Sequence, residues 1–166
     1  MKKFLEQLQK DFPAIDFVAG SSFCWSPQNQ RVIYKNSDSE VANWSILHEL
    51  GHALLAHQSY QSDIELLLLE VAAWAKAKEL GIIYGYQIDE DHIQDCIDSY
   101  RDWLDARSTC PECTSNGLQI DSRQYSCFNC QLRWQVTNSR FCRPYRLTKT
   151  SQKESRLETL LQTTFI

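Results

Sequence analysis

With 166 residues and 43% hydrophobic content, the chain has room for one ordinary domain, or for a domain of about 100 residues plus a small module, and is too apolar for wholesale disorder. Glu6, Gln7, Gln9 and Lys10 interrupt any apolar signal segment after the basic start. The most apolar run, Leu66 to Leu69, ends at Glu70, far short of a bilayer span, so the expectation is a soluble, cytoplasmic protein with no membrane partner. The net charge of −4 divides unevenly, with 8 Lys+Arg against 17 Asp+Glu in residues 1–106 and 9 against 4 in residues 107–166, which suggests a domain boundary near Arg107.

Phe4, Leu5, Leu8 and Phe12 recur at helical spacing over Lys2 to Phe12. Three short β-like runs follow, Ile15–Ala19, Ser22–Trp25 and Arg31–Lys35, with Pro27-Gln28-Asn29-Gln30 as a hairpin turn between the last two. Ser37 and Glu40 form a capping-box pattern that predicts a helix running to about His57. A second helix is expected from Ser62 to Leu80, stopped by Gly81, and a third from Asp89, as N-cap, to about Ala106. Residues 151–162 could form a short helix, with Ser151 and Glu154 as another capping box.

The first of these helices carries His48-Glu49-Leu50-Gly51-His52. This HExxH run sets two imidazoles one turn apart on one face, able to grip one ion, and a carboxylate rotated aside that can reach water at that ion. It is a signature of zinc metalloproteases, whose catalytic zinc usually takes three protein ligands and keeps one open position. His57 is the nearest further histidine. It lies nine positions after His48, whereas the extended metzincin pattern places its third histidine ten after the first, behind a glycine turn. On a continuing helix His57 would point about 140° away from His52, which suits a solvated or capping histidine better.

Glu70 is the stronger candidate for third ligand. Its helix is apolar almost all round, and an unpaired carboxylate buried there would cost several kcal/mol or take up a proton. Glu70, Ala73 and Ala77 share a face, and these small residues together with Gly51 would let the two helices approach closely. Pairing of Glu70 with an arginine, or exposure at the surface, stays open, with Glu65 as a backup ligand. Tyr60, Tyr84, Tyr86 and His92 are near enough in sequence to be considered as oxyanion stabilisers, and the sequence selects none.

On the third helix Asp91, Asp95, Asp98, Asp102 and Asp105 form an acidic stripe opposite an apolar face, either a solvated surface or a docking strip for something basic. The seven cysteines are an odd number, four of them in the pairs Cys110-Pro111-Glu112-Cys113 and Cys127-Phe128-Asn129-Cys130. Two such knuckles 13 residues apart indicate structural zinc rather than a disulfide framework, leaving Cys24, Cys96 and Cys142 over. Ile120, Tyr125, Trp134 and Val136 would fill a small β-core, with Gly117 in the turn after the first knuckle. Arg107, Arg123, Arg133, Arg140, Arg143, Arg146 and Lys149, with Tyr125, Phe128, Trp134 and Tyr145 among them, also make nucleic acid a conceivable partner; a protein substrate or the acidic stripe fits equally well.

The segment His48 to His57, followed by Glu70-x-x-Ala73-Trp74, resembles the ImmA/IrrE family of zinc metallopeptidases. Phe23-Cys24-Trp25-Ser26-Pro27 and Arg31-Val32-Ile33-Tyr34 are also similar to that family's small members, and the resemblance covers roughly residues 15–105. It implies that His48, His52 and Glu70 hold a catalytic zinc and that Glu49 is the catalytic residue. Members typically cleave a helix-turn-helix repressor or an antitoxin-like regulator. No helix-turn-helix is legible here, so a separate DNA-binding partner would supply that part of the circuit. The expected fold is α+β: a small zincin-like domain over 1–106, with a short antiparallel sheet and three to four helices, then a zinc ribbon over 107–147 and a tail over 148–166. The expected function is zinc-dependent endopeptidase. The alternatives are a SprT-like protease acting on DNA-bound proteins, or a non-catalytic zinc-containing regulator that binds DNA or protein.

Overall fold

The computed structural model describes residues 1–137 and the backbone of residues 146–147. Four helices, α1 (Lys2–Asp11), α2 (Glu40–Leu54), α3 (Asp63–Tyr84) and α4 (Glu90–Ser108), are combined with strands β1 (Asp16–Ala19), β2 (Cys24–Ser26) and β3 (Arg31–Tyr34) before α2 and β4 (Leu118–Asp121), β5 (Gln124–Ser126), β6 (Arg133–Val136) and β7 (Arg146–Leu147) after α4. The class is α+β. The contacts divide the chain into two compact units, Met1–Tyr60 with Glu65–Asp98, and Gln61–Ile64 with the chain from Ser99 onward. Among the described residues no helix is long and apolar enough to cross a membrane. The expected helix at 151–162, and Arg140, Cys142, Arg143, Tyr145 and Lys149, lie outside the described residues.

In the first unit α2 is the central element. Trp44, Ile46, Leu47 and Leu50 are all buried with Leu8 of α1, Val32 of β3, Trp74, Ala77 and Leu80 of α3 and Ile93 and Ile97 of α4. Its sheet has the order β1-β3-β2, with β3 antiparallel to β2 but parallel to β1, so the expected all-antiparallel sheet is corrected to a mixed one. After Ala19 the chain skips one strand position, and β3 returns through the Pro27–Asn29 turn to fill it. Gly20 N–H donating to Tyr34 O at 2.8 Å closes the end of the β1–β3 pairing.

The helix boundaries differ from the sequence reading for local reasons. Ser39, not Ser37, caps α2: its Oγ accepts from Ala42 N–H at 3.1 Å and Glu40 is already helical, so the Ser37–Glu40 box does not form. The helix ends at Leu54, before His57, because Ala56 adopts a left-handed conformation (φ 54°) and turns the chain back. Gly81 does not stop α3. It lies inside the helix, where the Tyr86 carbonyl passes so close that a Cβ would sit 2.7 Å from it; Gly85, with φ 77°, ends the helix instead. Asp89 caps α4 as expected, Oδ1 accepting from Asp91 N–H at 2.9 Å.

The second unit has a core of Cys110, Tyr125, Cys127, Trp134 and Val136, with the Tyr125 and Trp134 rings stacked at 5.7 Å. Ile120, expected in that core, is 49% exposed on β4, the terminal strand of the β4-β5-β6-β7 sheet. Gly117 is needed where it stands, because a Cβ there would meet the Trp134 ring and the Ser126 carbonyl. Arg107, read as part of a basic surface, is buried. Its guanidinium pairs with Asp63 (Nε–Oδ2 2.5 Å, Nη2–Oδ1 3.3 Å), donates to the carbonyls of Ser122 and Thr137, and lies 4.5 Å over the Trp103 ring. Asp63 also accepts from the Tyr125 hydroxyl, so the first residue of α3 is tied to β5 and to the end of α4. The five aspartates of the α4 stripe are exposed, and Asp105 accepts a long bond from Asn116.

Candidate metal centres

Two groups of ligand-type side chains converge, each with its donor atoms within 4.8 Å of one another: His48, His52 and Glu70 in the first unit, and Cys110, Cys113, Cys127 and Cys130 in the second.

In the first group the two histidines stand one turn apart on α2, with Nε2 atoms 3.1 Å from each other. Glu70 of α3 reaches both, Oε2 lying 3.2 Å from His48 Nε2 and Oε1 3.6 Å from His52 Nε2. The close helix approach that the small residues predict is present. Ala73 and Ala77 are fully buried, and a Cβ on Gly51 would come within 2.6 Å of the Ala73 carbonyl. Glu70 is 7% exposed. Burial alone would raise its pKa, but hydrogen bonds and charges from His48 and His52 bring it to about 2, so the carboxylate stays ionised. A buried anion facing two imidazole nitrogens is a donor set suited to a divalent cation. The donor separations match the roughly 3.3 Å expected between neighbouring ligands at Zn–N and Zn–O lengths of about 2.0–2.1 Å.

Glu49, the next residue on α2, is outside this triad but near it, and reaches β2. Its Oε2 accepts the Trp25 main-chain N–H at 2.7 Å. Burial pushes its pKa above the ordinary carboxylate value, against the favourable charges of His48 and His52 and the Trp25 hydrogen bond. His57 is not a ligand of the group, and it is not merely solvated: its Nδ1 lies 2.8 Å from His52 Nδ1. Burial and the neighbouring His52 lower its pKa below the usual imidazole value. Glu65 is outside the ligand group. Of the residues considered as oxyanion stabilisers, Tyr84 donates its hydroxyl to Asp11, Tyr86 packs on Phe4, His92 lies against Trp44 and Trp74, and Tyr60 is half-exposed.

Sequence reasoning missed the contribution of Trp25. Besides holding Glu49 through its main chain, it donates its indole N–H to the His57 carbonyl at 2.9 Å. A tryptophan in a three-residue strand is the only local signal of that role, since both partners lie more than twenty positions away.

In the second group the four sulfurs come from two turns of the same design. Thr114 N–H donates to Cys110 O and Gln131 N–H to Cys127 O, and Thr114 and Gln131, each just after a second cysteine, are left-handed at φ 60° and 62°. Cys110 and Cys130 sulfurs are 3.6 Å apart and Cys113 and Cys127 sulfurs 3.5 Å, far too long for disulfides. Both distances are near the edge of about 3.8 Å of a tetrahedron built on Zn–S lengths of about 2.3 Å. The Ser115 N–H, with side-chain hydrogen bonds from Asn129 and Ser115, brings the Cys113 thiol down to about 6, so this ligand is readily a thiolate. Cys24 and Cys96 are in no disulfide among the described residues and lie outside either group.

Comparison of the chain with family models, curated proteins and solved structures gave no match.

Proposed function

We propose that this protein is a zinc-dependent endopeptidase of the ImmA/IrrE type, cutting a regulatory protein such as a repressor or an antitoxin in the cytoplasm. The observation that carries this reading is the buried Glu70 carboxylate set between the two HExxH imidazoles, with a second, separately held carboxylate, Glu49, beside them. A purely structural centre has no use for that second group.

His48, His52 and Glu70 would hold the ion. The chemistry that zinc supplies when bound is Lewis acidity, which makes water more acidic and polarises a peptide carbonyl. Glu49 takes the proton from the attacking water and delivers it to the leaving amine. The raised pKa of Glu49 suits it to both transfers, and the Trp25 N–H fixes one carboxylate oxygen so that the other is free to do this work. The Glu ligand favours this family over the SprT-like one, which takes a third histidine; here His57 hydrogen-bonds His52 through Nδ1 and is not one of the converging ligand groups.

We assign the four cysteines to a structural zinc and the second unit to holding a protein substrate rather than nucleic acid. Arg107 is consumed by Asp63, and Tyr125 and Trp134 form the core, which leaves Arg123, Arg133 and Phe128 exposed among the described residues.

The test is to express wild type, Glu49→Gln and His48→Ala in the native host and label new protein N-termini. Cleavage sites present with wild type and absent with Glu49→Gln and His48→Ala support the assignment. Identical N-terminal profiles for all three overturn it.

A further inference from the structure

We propose that His57 is a positioning residue of the His48–His52–Glu70 centre, fixing the proton of His52 on Nδ1 so that Nε2 is presented with a free lone pair. The inference rests on reading that group as a metal centre.

The two ligand histidines are oriented by different means. His48 is held by packing: its ring lies on Trp74 at 4.2 Å with 31° between planes, and its Nδ1 is buried with no hydrogen-bond partner among the described residues. His52 is held by a hydrogen bond, Nδ1 to His57 Nδ1 at 2.8 Å. A hydrogen bond between two ring nitrogens carries one proton, so one ring donates and the other accepts. His52 turns Nε2 toward Glu70 and His48, where a ligand nitrogen must be unprotonated. A neutral His52 then carries its proton on Nδ1, which makes His52 the donor and His57 the acceptor, with the proton of His57 on its own Nε2. This is the relation by which outer residues orient ligand histidines and raise their basicity.

The chain is built to put the acceptor there. The left-handed turn at Ala56 ends α2 and folds His57 back over the last turn. Its main-chain N–H donates to His52 O at 3.0 Å, and its carbonyl accepts the Trp25 indole N–H. Both main-chain polar groups of His57 are therefore pinned independently of its side chain, so the imidazole can be replaced without releasing the loop. Trp25 holds the proton-transfer residue Glu49 with its main chain and the His57 segment with its indole, so one strand residue aligns both.

The experiment compares wild type, His57→Phe and His57→Asn, full chain, by Zn2+ competition against a chelator. Co2+ spectra separate the centres, since only the thiolate group gives sulfur charge-transfer bands. Phe keeps the ring volume without an acceptor; the Asn side-chain oxygen can stand near the place of Nδ1. His57→Phe is expected to weaken zinc at the histidine–glutamate centre about 10–100-fold. Expected for His57→Asn is affinity within a few-fold of wild type, with all three metal-free proteins melting alike. Long-range proton–nitrogen NMR of the zinc-loaded wild type should show His52 protonated on Nδ1. Unchanged zinc affinity in His57→Phe, or His52 protonated on Nε2, overturns the role of His57 while leaving the metal centre standing. Failure of wild type to bind zinc at His48, His52 and Glu70 overturns both.

Discussion

The two ligand groups are built in opposite ways. The cysteine group is nearly self-contained: two four-residue turns with the same hydrogen bond and the same left-handed residue after the second cysteine, 13 residues apart, over a core of five buried side chains. The histidine–glutamate group depends on tertiary structure. Its third ligand is 18 positions past His52 on another helix, placed by the contact of Gly51 with Ala73, and its surroundings come from a strand before α2 and a turn after it. A group of the first kind would fold as metal binds; a group of the second kind would be folded before metal arrived. The first unit buries thirteen hydrophobic residues in one cluster, a core made of side-chain packing.

Stripping metal breaks this comparison most directly. Structural zinc sites contribute an apparent 10–16 kcal/mol or so to folding at neutral pH, more than the whole stability of an ordinary small domain. A strong chelator, or Cys127→Ser, is expected to unfold the second unit. The near-ultraviolet circular dichroism from the stacked Tyr125 and Trp134 should vanish and the segment 109–137 become open to proteolysis. The far-ultraviolet helical signal of the first unit should persist. Loss of both signals together would mean that the histidine–glutamate group is as dependent on metal as the cysteine group.

The next effect concerns whether the second unit is held by metal alone. Arg107 and Asp63 form a buried pair whose remaining bonds go to Tyr125, Ser122 and Thr137. Removing one partner leaves the other charge buried and uncompensated, which costs about 3–5 kcal/mol. Arg107→Met is therefore expected to lower stability in denaturant titrations of the metal-loaded protein by that amount, and Asp63→Leu added to it should restore part. An Arg107→Met protein as stable as wild type would make the second unit a purely metal-held structure.

The same contrast explains what could be read from the sequence. The cysteine group was legible because its information is local: spacing defines the turns. His48, Glu49 and His52 were legible for the same reason, as one helical turn. Glu70 was reached through an energetic argument about burial and through the family resemblance of Glu70-x-x-Ala73-Trp74, and its low exposure agrees with the first. His57 was kept out of the ligand group, but its bond to His52 was missed because a helix was extended through Ala56, and no rule of spacing signals a left-handed alanine. Asp63 and Arg107 are 44 positions apart; Asp63 drew no role and Arg107 was read as a surface cation, since a buried pair leaves no mark on either local pattern. The mixed sheet was missed for a similar reason: alternation locates strands but does not say which neighbour each one takes.

Gly51→Ala makes the smallest change and probes the part of the comparison that rests on packing. As a helical residue alanine gains about 1 kcal/mol over glycine, whereas forcing a methyl group against the Ala73 carbonyl 2.6 Å away costs about 1–3 kcal/mol. The net loss of stability is expected to be about 1–2 kcal/mol or less in denaturant titrations. Zinc affinity at the histidine–glutamate group should fall disproportionately, because the strain is relieved by moving α3, and Glu70 is one turn from the contact. A Gly51→Ala protein with wild-type zinc affinity would show that Glu70 is placed by something other than this helix contact. The cysteine group should be indifferent to the substitution, since its two turns are closed by their own main-chain hydrogen bonds, Thr114 N–H to Cys110 O and Gln131 N–H to Cys127 O.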